Sequence, residues 1–118
     1  MALLKGQVTP PYKVYTALLN QSGTADPVIT ELDNTTGATV TASRGGPGQY
    51  NLMFNYTVLT TNKTTVLIGA GDPGSDYGHN TARTYNTSNI AILTTLAGII
   101  AGYDDRLSNT TIEVRVYP

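Results

Sequence analysis

Residues 12–50 read YKVYTALLNQSGTADPVITELDNTTGATVTASRGGPGQY, in which three Thr-rich apolar segments are separated by two polar turns. Side chains alternate between the two faces of an extended chain, so this pattern predicts β-strands at residues 12–21, 28–33 and 38–44. The intervening SGTADP and NTTG segments supply the Gly, Pro, Asn and Asp that favour turns. Both faces of the first strand are largely apolar or aromatic, so we expect a central strand that is covered on both sides.

The same pattern continues towards the C-terminus. Residues 49–58, QYNLMFNYTV, alternate strictly, and residues 110–117, TTIEVRVY, form an equally regular strand. Residues 64–70, TTVLIGA, are a short apolar run that ends at glycine, which predicts a strand buried in the interior. The side chains that we expect in the core include Leu52, Phe54, Ile112 and Val114.

Residues 89–101, NIAILTTLAGIIA, are compatible with two structures. Ile90, Leu93 and Ile100 fit a helical stripe. However, Ile90 and Ile92 also alternate, adjacent threonines disfavour a helix, and Gly98 would interrupt it. We predict a strand over residues 89–95, with a short helix as the alternative.

Seven or eight short strands separated by Gly, Pro and Asn turns are typical of an all-β, single-domain β-sandwich. The sequence leaves open whether its connections are immunoglobulin-like or jelly-roll. We predict a sandwich domain over residues 12–118, preceded by an N-terminal arm over residues 1–11. The arm carries Leu3 and Leu4 ahead of a Pro-Pro pair, so we expect these two leucines to dock on a neighbouring subunit.

The composition argues against several classes of protein. With 7 Lys and Arg against 8 Asp and Glu, the chain has no excess of basic residues for binding nucleic acid. Charged residues are only 13 % of the chain, and such a neutral, Thr- and Asn-rich surface repels its copies weakly. We therefore expect a homo-oligomer, for which a trimer is one arrangement. There is no cysteine and no apolar run long enough for a membrane span or an ordinary signal peptide, so we expect synthesis in the cytoplasm.

Two polar loops form the candidate binding site. Glycine, proline and aspartate dominate residues 71–79, and residues 103–106 are Tyr-Asp-Asp-Arg. Tyrosine beside carboxylates suits carbohydrate recognition. The predicted cluster consists of Asp72, Asp76, Tyr77, His79, Tyr103 and Asp104.

The same residues do not predict a metal site or a catalytic centre. Asp72, Asp76, Asp104 and Asp105 lack the spacing of a recognised calcium loop, so we interpret them as solubilising loop residues. His79 has no second histidine or cysteine with which to share a zinc ion, and no serine lies in a G-x-S-x-G elbow. We expect no cofactor, no metal and no enzymatic activity.

Three short motifs carry a family resemblance. They are Gln-Ser-Gly-Thr at residues 21–24, Leu-x-Asn-Thr-x-Gly at residues 32–37, and Asn-Thr-x-Ile-Glu-x-Arg-Val-Tyr at residues 109–117. Together with the strands beside them, these motifs resemble a module of uncharacterised structural proteins from tailed bacteriophages and prophages. The resemblance covers about half of the chain and has no counterpart for residues 71–85. It implies a virion component and supplies no active site.

Two functions follow as expectations. The first is a structural virion protein, a head-decoration or fibre-type subunit that assembles with itself or with the capsid. The second is a β-sandwich binding module that recognises carbohydrate or another host-surface ligand through its loops.

Overall fold

The computed structural model describes residues 11–70, 78–96, 98–99 and 101–118. This part of the chain is all-β, with eight strands: β1 (Lys13–Asn20), β2 (Val28–Asn34), β3 (Val40–Gly46), β4 (Gln49–Phe54), β5 (Thr64–Ile68), β6 (His79–Thr84), β7 (Asn89–Thr95) and β8 (Thr110–Val116). None of the residues described forms a helix that is long and apolar enough to cross a membrane.

The strands form two antiparallel sheets of four. Sheet A has the order β2-β1-β8-β5, and sheet B has the order β3-β4-β7-β6. Neighbouring strands are antiparallel throughout, and the chain passes between the sheets after β2, β4, β5 and β7. The prediction of an all-β sandwich with seven or eight strands is confirmed. The order of strands in sheet A depends on pairings between strands distant in sequence, such as β1 with β8 and β5 with β8.

The core lies between the sheets and is built from alternate residues of the four central strands. Its fully buried or nearly buried side chains on these strands are Tyr15, Ala17, Leu19, Tyr50, Leu52, Phe54, Ile90, Ile92, Ile112, Val114 and Val116. The ring of Tyr15 meets the ring of Phe54 edge to face, with 5.4 Å between centroids. All four predicted core residues, Leu52, Phe54, Ile112 and Val114, are therefore confirmed.

Local side-chain hydrogen bonds shape the turn between β2 and β3. The carboxamide oxygen of Asn34 accepts hydrogen bonds from the backbone N–H and the hydroxyl of Thr36, at 3.0 and 2.7 Å. Gly37 then has a φ of +83°, a conformation that other residues rarely adopt. These bonds are the reason that the NTTG segment ends one strand and starts the next.

Two predictions about strand environment are wrong. β1 is central, and its inward face, with Tyr15, Ala17 and Leu19, is buried beneath the other sheet. On the outward face Val14 is buried, but Thr16 and Leu18 are partly exposed. β5 is not an interior strand, because it lies at the edge of sheet A and exposes Leu67. An apolar run does not show which strands will lie beside it in the sheet, and here the position in the sheet determines how far each strand is buried.

Two further findings concern the second half of the chain. Residues 89–95 form β7, so the strand is confirmed over the helical alternative. Residues 79–84 form β6, so His79 begins a strand and does not belong to the polar loop predicted over residues 71–79. The segment HNTART carries only one inward-facing apolar side chain, Ala82, so it lacks the alternation that identifies a strand.

Candidate functional site

One end of the sandwich brings together the loops that follow β1, β3 and β7. The backbone N–H of Gly23 donates to the carboxylate of Asp105 at 2.6 Å, and the backbone N–H of Arg44 donates to that of Asp26 at 2.8 Å. Backbone bonds from Thr94 to Gly48 and from Tyr103 to Thr94, at 2.9 and 2.8 Å, complete this loop end. Three connections that are distant in sequence are therefore held as one unit.

Asp104 is the centre of the loop end. Its carboxylate accepts three contacts from the guanidinium of Arg44, at 3.2, 3.2 and 2.7 Å. It also accepts the backbone N–H of Gly48 at 2.9 Å and the hydroxyl of Tyr50 at 2.6 Å. Hydrogen bonding from Arg44 is the main reason that the pKa of Asp104 is held far below its usual range, with further contributions from Gly48, Tyr50 and the Arg44 charge.

Tyr50 connects this carboxylate to the core. The ring of Tyr50 is buried, and its hydroxyl also lies 2.8 Å from the carboxamide oxygen of Gln21. A hydroxyl has one proton, so it donates to Asp104, which is both the nearer and the charged acceptor. Burial, followed by this hydrogen bond, raises the pKa of Tyr50. The phenol is therefore a fixed donor at neutral pH.

Glycine is required where these loops cross. A Cβ placed on Gly102 would lie 2.0 Å from the carbonyl oxygen of Pro47, and one on Gly48 would lie 2.3 Å from the backbone nitrogen of Tyr103. Both obstacles are backbone atoms, which cannot rotate away. The backbones of residues 45–48 and 101–103 therefore pack directly against each other, which only glycine at these two positions allows.

The structure describes three of the six residues in the predicted binding cluster. Asp72, Asp76 and Tyr77 lie outside the described residues. His79 is exposed at the start of β6, and Tyr103 is about half exposed, beside the same end of β7. The carboxylate of Asp104 already accepts hydrogen bonds from Arg44, Gly48 and Tyr50, with which a ligand would have to compete. A role for Asp104 in ligand binding stays a prediction. No group of three His, Asp or Glu residues suited to a metal ion is found within the described ranges.

The opposite end of the sandwich carries an open, mainly apolar groove of about 610 Å³, which we call the terminal groove. Its lining residues include Pro11, Tyr12, Val14, Val58, Val116 and Tyr117. The rings of Tyr12 and Tyr117 are 5.0 Å apart, and the guanidinium of Arg115 lies 5.0 Å from the Tyr12 ring centroid. Arg115 also forms an ion pair with Glu113, as its spacing in β8 suggests.

The terminal groove lies where the N-terminal segment joins the domain, because Pro11 is part of its rim. Leu3 and Leu4, the predicted assembly residues, lie outside the described residues, so their docking stays a prediction. The sequence pattern does not predict this groove. Its two tyrosines flank the first and last strands, and only the antiparallel pairing of β1 with β8 brings them together.

No family model, curated protein or solved structure matches this chain.

Proposed function

We propose that this chain is a non-enzymatic structural protein of a tailed-bacteriophage virion. It is made in the host cytoplasm and serves as a head-decoration or fibre-type subunit that assembles with copies of itself or with the capsid. The motifs at residues 21–24, 32–37 and 109–117 support the virion location through their resemblance. The surface of the sandwich supports assembly.

The observation that carries the proposal is the character of the edge strand β5. Its sequence, TTVLI, contains no charged residue, and Leu67 within it is 53 % exposed. Sheet order leaves one side of β5 without a paired strand among the residues described. Soluble monomers usually protect such an edge with charge or proline, because its free backbone groups pair readily with another chain. An edge without this protection is what an assembling subunit requires.

Sheet A adds apolar surface at its other edge. Val28 and Leu32 in β2 are 64 % and 56 % exposed. Covering each such side chain on a neighbour is worth roughly 1.5–3 kcal/mol if burial is complete. The ion pair between Glu113 and Arg115 leaves the central strand β8 close to neutral, so like charges there do not oppose the approach of a second copy.

The terminal groove provides a second contact in this proposal. The arm over residues 1–11 brings Leu3 and Leu4 to a neighbouring subunit, and the apolar groove beside Pro11 is a surface of matching character. Ten extended residues reach about 33 Å, which is sufficient to leave one domain and contact the next.

Sedimentation of the purified chain over a range of concentrations tests assembly through the β5 edge. We expect Leu67→Lys to weaken self-association at least tenfold, because lysine at an edge position opposes strand pairing. Tyr56→Lys is the matched control, since Tyr56 is 62 % exposed outside any strand. Equal association of both variants and the unmodified chain would remove β5 from the interface. The virion location is tested on the particle itself, by measuring the copy number of the chain.

A further inference from the structure

The outer face of sheet B carries a shallow groove of about 650 Å³ across β4, β7 and β6, which we call the sheet groove. It lies on a different sheet from β5 and shares no lining residue with the terminal groove; Gly45 and Tyr50 connect it to the loop end. The strand register arranges the floor of the groove in three rows that run across the strands. The first row is Gln49, Leu93 and Thr81, and the middle row is Asn51, Ala91 and Arg83. The third row is Met53, Asn89 and Tyr85, of which Tyr85 directly follows β6.

The polar side chains of the sheet groove are largely uncommitted. Within the described part of the chain, Gln49, Asn51 and Arg83 make no side-chain hydrogen bond or ion pair. The side chain of Asn89 has a single contact, 3.5 Å from the hydroxyl of Ser88. Asn51 and Asn89 are partly buried on central strands, where their carboxamides face the groove. This contrasts with the loop end, where Gln21 and Asp104 are fully engaged with the fold.

The middle row forms a recess. Ala91 pairs with Asn51 on one side and with Arg83 on the other, so a methyl group lies between two larger polar side chains. Adjacent strands are 4.7–4.9 Å apart, which places the backbones of Asn51 and Arg83 about 9.5 Å from each other. Tyr85, which is 64 % exposed, stands at one end of this recess. The recess therefore has the Ala91 methyl as its floor and amides, a guanidinium and a phenol ring on its sides.

These groups match a sugar ring that carries a negative charge. The C–H face of a sugar packs on an aromatic ring, and its hydroxyls both donate to and accept from carboxamides. Arg83 adds a positive charge, and none of the described residues lining the groove is acidic. A guanidinium binds a carboxylate through two parallel hydrogen bonds, a geometry that a neutral ligand cannot use.

We propose that the sheet groove binds an oligosaccharide that bears a carboxylate, of the uronic-acid or sialic-acid class. Arg83 binds the carboxylate, the ring of Tyr85 packs against a sugar face, and Asn51 and Asn89 bind hydroxyls. The site is independent of the predicted loop cluster and of subunit assembly. It assigns the chain a second activity, recognition of an acidic glycan.

The test begins with an array of uronic-acid and sialic-acid glycans in which each acid is paired with its methyl ester. The ester keeps the sugar skeleton and removes the charge. We expect at least one acid to bind, and its ester to bind at least tenfold more weakly, because charge-assisted hydrogen bonds exceed neutral ones. If no acidic glycan binds, or if acids and esters bind equally, the proposal is overturned.

The binding acid is then titrated into isotope-labelled protein by nuclear magnetic resonance. We expect the largest shifts at the Ala91 methyl and at the side-chain amides of Asn51 and Asn89. Shifts confined to Tyr103 and His79 would place the ligand at the loop end and overturn the proposal. If resonances of sheet B are broad without ligand and become sharp on dilution, a second copy of the chain covers the groove. That result would also overturn the proposal.

Two matched pairs of variants separate specific binding from general effects of charge and aromaticity. Arg83→Gln and Lys63→Gln each remove one positive charge, and only the first lies in the groove. Tyr85→Ala and Tyr56→Ala each remove an exposed ring, and again only the first lies in the groove. Each groove variant should weaken binding at least tenfold, with each control within twofold of the unmodified protein. Equal losses within either pair would overturn the proposal.

Discussion

Two buried tyrosines provide the most informative comparison in this fold, because the same substitution should change stability in opposite directions. Tyr15 in β1 and Tyr50 in β4 are both almost completely buried. The hydroxyl of Tyr50 donates to Asp104 at 2.6 Å. The hydroxyl of Tyr15 is the only buried side-chain polar atom without a hydrogen-bond partner in the part of the chain that the structure describes.

The expected magnitudes follow from these environments. A buried hydroxyl without a partner costs about 1–3 kcal/mol, so Tyr15→Phe should raise the free energy of unfolding by about 1 kcal/mol after a small loss of packing. The phenylalanine ring keeps the edge-to-face contact with Phe54. Tyr50→Phe removes a hydrogen bond to a charged group and should lower the free energy of unfolding by roughly 1.5–3 kcal/mol.

Urea unfolding at pH 7 measures both changes, and the melting temperature should move by about 4 °C per kcal/mol for a domain of this size. Burial, with a smaller contribution from the Glu31 charge, raises the pKa of Tyr15 to about 12. Because the folded pKa exceeds the value near 10 of an unfolded chain, the unfolded chain ionises this tyrosine first, and the domain loses stability as the pH rises from 10 to 12. Tyr15→Phe should abolish its share of the alkaline loss. If Tyr15→Phe destabilises the domain as much as Tyr50→Phe does, the assignment of an unpartnered hydroxyl is refuted.

Three further predictions concern the core, the loop end and the arm. Phe54→Ala should lower the free energy of unfolding by roughly 3–5 kcal/mol because it leaves a large cavity in the core, and an unchanged urea midpoint would contradict the described core. Asp104→Asn should destabilise the domain at pH 7 by more than the roughly 1 kcal/mol of an ordinary hydrogen bond. The lowered pKa of Asp104 stabilises the folded state above about pH 4, and this contribution is lost as the pH falls. In circular dichroism melts below about pH 4, the Asn variant should therefore lose less stability than the unmodified protein. Equal losses in the two proteins would contradict this. Deletion of residues 1–8 should leave the melting temperature nearly unchanged and weaken assembly measured by sedimentation, and unaltered assembly would remove the arm from the mechanism.

The sequence predicted those strands whose own side chains alternate. Leu52 and Phe54 in β4, like Ile112 and Val114 in β8, are spaced for one buried face, and that local pattern was sufficient. It was not sufficient for β6, whose polar sequence is held in place by backbone pairing with β7. Nor could it show that β5 is an edge strand, because that depends on a pairing with β8 across more than 40 residues.

The candidate sites were harder to predict because they depend on the same long-range register. The sequence gives no sign that Asp104 forms an ion pair, since its partner Arg44 lies 60 residues away. The row of Asn51, Ala91 and Arg83 likewise exists only after β4 and β6 have paired with the two edges of β7. Residue types show which chemistry a side chain can perform, but the order and register of the strands determine which side chains lie together.

The composition of purified virus particles tests the proposed function most directly. If the proposal holds, a phage or prophage encodes this chain, and its particles can be banded in a density gradient and analysed by quantitative mass spectrometry. The proposal predicts that the chain stays with the particle peak, at a constant copy ratio to the major capsid or tail protein. Absence of the chain from particles, while it accumulates in the same lysate, would contradict its assignment as a virion structural protein.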